Sequence, residues 1–324
     1  MKNAIELKGL VKDFKAKQKD KGLKGSLKAM FRPNYKEIRA VKNISFDVKK
    51  GELVGFIGPN GAGKSTAIKI MTGIMYPTKG KVKVLGLNPQ KERKKLAYKI
   101  GTVFGQKPQL MYHLPAIDTF YLFSKIYEVP EEEFRKRLDH LGEIFEIKDF
   151  IKQPVRKLSL GQRMRCEIVA SLLHKPEILF LDEPTIGLDL IAKKRIRKLI
   201  KDLNKKEKLT IILTSHDMED VEKICKRLVI INKGNIVYDD TIRKIKNYLK
   251  YKVVDILFED PIKELKLKDV NIISKKKYKA KLEIDTDKIS IKKLLEHITR
   301  RYNIADMVIS DPPVEEIIEM IYKK

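Results

Sequence analysis

Long apolar runs are missing from this 324-residue chain. None approaches the roughly 20 uninterrupted apolar residues that a bilayer-crossing helix needs, so no membrane span is expected. The opening residues, Met1-Lys2-Asn3-Ala4-Ile5-Glu6, bring an acid early and lack the apolar stretch of a secretion signal. Cysteine is scarce. Cys166 and Cys225 are the only two, they fit no metal-ligand spacing, and a reducing compartment makes them buried small hydrophobes. These absences together predict a cytosolic protein. Acidic residues are also short relative to basic ones, 43 against 70, for a net charge of +27. Such an excess attracts polyanions, either nucleic acid or an anionic membrane surface, and composition does not choose between them.

What is present reads as a globular α/β protein. Hydrophobic residues make up 43% and aromatics 7%, ordinary values for a chain with a core, and the length admits one large domain plus a smaller one. Short apolar runs at 53–57, 178–181 and 210–213 suit buried parallel strands, and each ends in polar residues. Further strands are expected at 1–14, 41–48, 81–85 and 100–104, and a long helical stretch at about 114–150. The runs at 228–232 and 235–238 flank Lys233-Gly234 as a closing hairpin. Ligands of α/β sheets sit beyond the carboxyl ends of the strands, where the polar clusters fall. After about Asp240 the pattern changes to strands at 253–258, 270–274 and 279–285, a helix near 289–302, a strand at 304–310 and a helix at 314–322. That is a small α+β appendage, with docking or dimer bracing as its expected role.

Three clusters carry chemistry. Gly58-Pro59-Asn60-Gly61-Ala62-Gly63-Lys64-Ser65-Thr66 lies between a strand and a helix and fits the phosphate-loop pattern. Its glycines let backbone N–H groups turn inward onto phosphate oxygens, at the positive end of a helix. Lys64 is placed to reach the β- and γ-phosphates, and the Ser65 hydroxyl to ligate Mg²⁺. Asp182-Glu183 closes an apolar strand: Asp182 is placed to hold Mg²⁺ through water and Glu183 to deprotonate an attacking water. Leu158-Ser159-Leu160-Gly161-Gln162 opens a helix, where a Ser hydroxyl and a Gly amide make a second anion site.

Taken in order, the phosphate loop, Gln106, Ser159-Leu160-Gly161-Gln162, Asp182-Glu183, Gly187-Leu188-Asp189 and His216 fall within about 160 residues. The set resembles the ABC ATPase family over roughly residues 1–245. The resemblance implies a P-loop NTPase core of mixed sheet plus helical subdomain (about 107–165), a basic insertion at 15–39, and a C-terminal accessory α+β domain at 246–324. It also implies roles. Residues 58–66 become the Walker A loop, Asp182 and Glu183 complete Walker B, Leu158–Gln162 is the signature with Ser159, Gly161 and Gln162 as its nucleotide contacts, and Asp189 closes the D-loop. Gln106 links Mg²⁺ to the permease contact, and His216 is the switch histidine facing the γ-phosphate. ATP and Mg²⁺ are the implied ligands. The implied partners are a second ATPase subunit, identical or not, and an integral membrane permease, which puts the chain on the cytoplasmic face of the membrane as a peripheral subunit.

Asp182-Glu183-Pro184-Thr185-Ile186-Gly187-Leu188-Asp189, Ser215-His216-Asp217-Met218 and the tail Pro312-Pro313-Val314-Glu315-Glu316-Ile317-Ile318 look similar to the motors of ABC-2 type exporters. An importer motor shares every catalytic motif and stays as an alternative. A nucleic-acid ABC ATPase is the other alternative, but only 94 positions separate Lys64 from Leu158, too few for the long inserts of those relatives, so nucleic acid is not the expected partner. Two departures stand out. Leu160 occupies a position where the family usually has glycine, which demands a backbone conformation open to side chains. The family's adenine-stacking aromatic falls near the lysine-rich interruption, where Phe14 is the better match and Tyr35 the rival. Within that interruption Leu23, Leu27, Met30 and Phe31 recur at helical spacing between Lys21, Lys24, Lys28 and Arg32. This is either a solvated surface loop or a short amphipathic basic helix, broken by Pro33, that suits the permease's cytosolic surface or the anionic lipid headgroups beside it.

Overall fold

The computed structural model describes residues 2–17, 35–105, 107–215, 217–248 (backbone alone for 246–248), 251–262, 265, 267, 270–312, 316–318 and 322. Two long strands open the chain, β1 (Asn3–Lys17) and β2 (Tyr35–Lys49), paired antiparallel. Both extend into the segment expected to interrupt them. The reason lies in the pairing: Asp13 stands opposite Arg39 and Lys15 opposite Glu37, and Arg39 Nε meets Asp13 Oδ1 at 2.8 Å. Cross-strand partners of opposite charge favour pairing, a pattern that reading each lysine-rich strand alone does not reveal. The basic helix expected at 23–31 lies outside the described residues.

The chain continues through β3 (Leu53–Ile57), helix α1 (Lys64–Met71), β4 (Lys79–Val84), α2 (Arg93–Ala97) and β5 (Ile100–Phe104). Helices α3 (Ala116–Ile126) and α4 (Glu131–Ile144) replace the single stretch expected at 114–150. The break is local: Glu128 adopts φ 54, and Pro130 disfavours helix at the residue before it. Next come α5 (Leu160–Leu172), β6 (Ile178–Asp182), α6 (Leu190–Glu207), β7 (Thr210–Ser215), α7 (Met218–Ile224), β8 (Arg227–Asn232) and β9 (Asn235–Thr241). No helix among the described residues is long and apolar enough to cross a membrane.

The chain divides into two compact units, Met1–Asp240 and Thr241–Lys324. In the first, one sheet has strand order β2-β1-β4 and the other β5-β6-β7-β3-β8-β9. The pairs β5/β6, β6/β7, β7/β3 and β3/β8 are all parallel. Strands β3 and β7 are buried at every position, which explains their unbroken apolar runs. Val54 and Phe56 of β3 pack with Ile68, Ile70 and Met71 of α1 and with Phe180, Ile212 and Val229 of the neighbouring strands. This fixes α1 against the sheet and sets the loop before it at the carboxyl end of a central strand. Cys166 and Cys225 are buried, and burial pushes the Cys166 thiol up to about 12.

The second unit holds helix α8 (Ile242–Tyr248) and an antiparallel sheet of order β11-β12-β10-β13, built from β10 (Tyr251–Phe258), β11 (Val270–Lys275), β12 (Lys279–Asp285) and β13 (Ile304–Ser310). Helix α9 (Ile291–Thr299) is capped by Ser290. Its Leu294 and Ile298 join Val254, Ile256, Leu282 and Ile284 in a separate core. Residues 316–318 of the expected last helix are described and helical.

Candidate nucleotide site

The residues of the phosphate loop run straight off β3. Gly58 and Gly63 are required by geometry. A Cβ on Gly58 would lie 2.2 Å from the Ile231 carbonyl oxygen, and one on Gly63 2.5 Å from that of Ala40. Gly63 also takes φ 109, a conformation costly to residues with side chains. Helix α1 begins at Lys64 with Gly63 as its N-cap, so the free N–H groups of its first turn face the loop's interior. The Lys64 ammonium, 5% exposed, donates to the Gly58 oxygen at 2.6 Å and to the Pro59 oxygen at 3.3 Å. Burial lowers its pKa, and the nearby Glu183 and Asp182 carboxylates act the other way.

A cavity of about 490 Å³ opens there, lined by Asn60, Gly61, Ala62, Gly63, Lys64, Ser65 and Thr66 from the loop and by Asp182 and Glu183 from the end of β6. Strand β7 separates β3 from β6, and its Thr214 joins them chemically. Asp182 Oδ1 accepts from Thr214 Oγ1 at 2.6 Å and from Ser65 Oγ at 3.3 Å. The Glu183 N–H donates to both the Thr214 oxygen (3.1 Å) and Thr214 Oγ1 (3.0 Å). Glu183 itself adopts φ 55, an unfavourable conformation for a residue with a side chain, held by these bonds, and such outliers concentrate at functional sites. Ala40, Lys69, Phe104, Lys107 and Ile186 complete the wall. Neither these five nor Thr214 is among the site residues expected from the sequence, although Ile186 falls within the run 182–189. For Lys107 the signal was its place directly after Gln106 at a strand end.

The signature residues lie elsewhere in the chain. Ser159 caps α5 in a closed capping box: its Oγ accepts from the Gln162 N–H at 3.2 Å, and Gln162 Oε1 accepts from the Ser159 N–H at 2.8 Å. Ser159, Gly161, Gln162 and Asp189 line a second cavity of about 330 Å³ with Arg165 and Arg195. Asp189 caps α6, accepting from Ala192 N at 2.8 Å. Leu160 sits in the first turn of α5, where a side chain is no burden, and is 38% exposed. Its Cδ2 would be 3.1 Å from a Cβ on Gly187, so it packs against the segment leading to Asp189.

Phe14 is half-buried on β1, opposite Ile38, with Lys12 Nζ 5.2 Å from its ring centroid. Tyr35 pairs with Lys17 at the far end of the ribbon and is 48% exposed. Neither lines the first cavity, which meets β2 at Ala40. Gln106 and His216 lie outside the described residues.

A phosphate loop leaving a central parallel strand and facing two acids at the tip of β6 defines a P-loop nucleotide-hydrolase site. A family profile described as ABC transporter matches residues 41–186. The ABC transporter ATP-binding protein NatA of Bacillus subtilis is 32% identical over 208 residues, 64% of this chain and 84% of that protein. The linearmycin resistance ATP-binding protein LnrL of the same organism is 32% identical over 286 residues, 86% of this chain and 91% of that one. Among solved structures, the dimeric post-hydrolysis state of an ATP-binding cassette bound to ADP and Pi matches with a TM-score of 0.60 at 28% identity, covering 74% of this chain and 99% of that one. The chain belongs to the ABC transporter ATP-binding family. It is an ATPase, the ATP-binding subunit of an ABC transporter.

Proposed function

We propose that two copies of this ATPase, or one copy and a related subunit, close head to tail over two ATP molecules and drive a separate membrane permease of the ABC-2 exporter type. The observation that carries this reading is the division of the site. The phosphate loop and the acids Asp182 and Glu183 line one cavity, whereas Ser159, Gly161, Gln162 and Asp189 line another. A second subunit then supplies the anion-binding helix start that each phosphate site lacks. Residues 1–245 act as the ATPase domain, with the 15–39 insertion and a helical subdomain at about 107–165, and residues 246–324 as an accessory domain. Export is supported by LnrL, named for resistance, a task that outward transport serves; its similarity covers more of this chain than the first unit alone. The chain works as a peripheral subunit on the cytoplasmic face of the membrane.

In this reading Lys64 and the loop N–H groups hold the phosphates, and Glu183 takes the proton of the attacking water. His216 faces the γ-phosphate, Gln106 senses the permease, and Phe14 carries the adenine. The donor set suits Mg²⁺, which favours one or two protein oxygens alongside phosphate and water. Ser65 Oγ and Asp182 Oδ1 stand 3.3 Å apart at the cavity, with Gln106 as the further ligand. When bound, Mg²⁺ supplies charge that stabilises the leaving phosphate oxygens.

Glu183→Gln tests the assignment. It should bind ATP, lose turnover by about 10²-fold or more, and accumulate as a nucleotide-bound dimer in size-exclusion chromatography with MgATP. Near wild-type turnover, or a monomer at saturating ATP, overturns it. Direction is read in everted membrane vesicles, where ATP-driven uptake means export and ATP-driven loss means import.

A further inference from the structure

The segment after Glu183 and the turn after β7 are joined by charged groups that the hydrolytic chemistry itself does not use. Asp217 and Asp220 lie in the first turn of α7, Asp217 as its N-cap accepting from Asp220 N at 3.3 Å. Lys193 and Arg197, one helical turn apart on α6, face them. Lys193 Nζ donates to Asp217 Oδ2 at 2.5 Å, and Arg197 Nε donates to Asp220 Oδ1. The other Asp220 oxygen accepts from Thr185 Oγ1. Arg197, Asp220 and Thr185 are 4%, 1% and 3% exposed.

The placement of these groups gives the network its meaning. Thr185 is two residues from Glu183, Asp217 directly follows His216, and α6 starts at its cap Asp189. One bracket of two cations, two carboxylates and a hydroxyl therefore fastens together the three segments that carry the general base, the switch histidine and the D-loop aspartate. We propose that Lys193, Arg197, Asp217 and Asp220 are positioning residues for hydrolysis. A displacement of Asp189 by the opposing subunit moves α6, and the bracket carries that movement to the β7–α7 turn and to the acid tip of β6. Buried carboxylate–guanidinium pairs with further hydrogen bonds have few alternative geometries, so such a bracket shifts as a unit. This inference rests on Glu183 and His216 acting at the phosphate.

The half-buried pair gives the clean test, since removing Arg197 would strand a buried carboxylate. Lys193→Met keeps the aliphatic stem, and Asp217→Asn keeps a competent N-cap. Each should lower kcat by about 10- to 100-fold, the scale of a small misplacement of reacting groups, with KM for ATP and the thermal midpoint unchanged. Lys193→Arg should recover most of kcat, and the double variant should be no worse than either single one. Wild-type kcat in Lys193→Met, losses that multiply in the double variant, or losses matched by lost folding each overturn the bracket. Glu183→Gln in the same assay separates the two failures: its retaining turnover removes the base assignment, while an inactive Glu183→Gln beside a fully active Lys193→Met removes the bracket alone.

Discussion

Thr214 gives its hydroxyl proton to Asp182 Oδ1 at 2.6 Å across the β6/β7 pair. Thr214 Oγ1 in turn accepts the Glu183 N–H at 3.0 Å, so a single buried hydroxyl ties together the two acid-bearing residues of the site. Thr214→Val removes that hydroxyl with little change of shape. The expected outcome is a folded protein about 1 kcal/mol less stable, with turnover reduced about 10-fold or more through misplaced acids. Thr214→Ser should retain activity. Steady-state ATPase assays alongside thermal melts decide it, and a fully active valine variant would show that the acids hold their own positions.

The adenine platform is settled by nucleotide titration. Phe14→Ala should weaken ATP binding by about 1–3 kcal/mol, the range for base–aromatic stacking, while Tyr35→Ala, at the exposed end of the ribbon, should change little. Reversed effects would move the platform to Tyr35.

Stability should fall in mild acid because of His174. Its ring stacks on Tyr127 at 3.9 Å between centroids, with Nε2 3.0 Å from the Ile100 oxygen. Burial pushes its pKa down to about 4, against roughly 6.5 in the unfolded chain. The unfolded state therefore takes up the proton first. The contribution is full above the unfolded value and is lost as pH falls from there through the folded value, to a limit of about 3 kcal/mol. Urea unfolding between neutral pH and the folded pKa should show a steeper acid loss for wild type than for His174→Phe. Parallel slopes would mean the imidazole is not held neutral.

The basic segment at 15–42, of which 18–34 lie outside the described residues, carries the last prediction. Residues 15–42 hold ten basic residues against Asp20 and Glu37. Each lysine at an anionic surface contributes about 1 kcal/mol before screening over about 8 Å. Deleting residues 22–33 should leave basal ATPase activity intact and weaken salt-sensitive flotation with anionic vesicles. Unchanged, salt-insensitive binding in the absence of permease would make the segment a plain loop.

Much of the site was legible because its chemistry is local in the chain. Residues 58–66 are consecutive, so the strand, the turning glycines and the helix start that make a phosphate cradle are read in one pass. Asp182 and Glu183 announce themselves at the end of a buried run, since water-facing acids after a core strand mark the carboxyl edge of a parallel sheet. Helix α6 was harder: Ile196, Leu199, Ile200 and Leu203 are its buried stripe, diluted by lysines on the other faces.

The sequence by itself determined the phosphate loop, the acid pair, the capped start of α5 and thereby the ATPase class, because each depends on neighbours a few residues apart. Tertiary structure alone decided which distant segments meet. The order β6-β7-β3 sets Thr214 between Ser65's loop and the two acids, and the packing of α6 on α7 brings Lys193 and Arg197 to Asp217 and Asp220. It also kept Ser159 and Asp189 in a cavity of their own. Hydrogen bonds and ion pairs form wherever folding brings donor and acceptor within about 3 Å, and that proximity arises from the packing of whole sheets and helices, which no local pattern encodes.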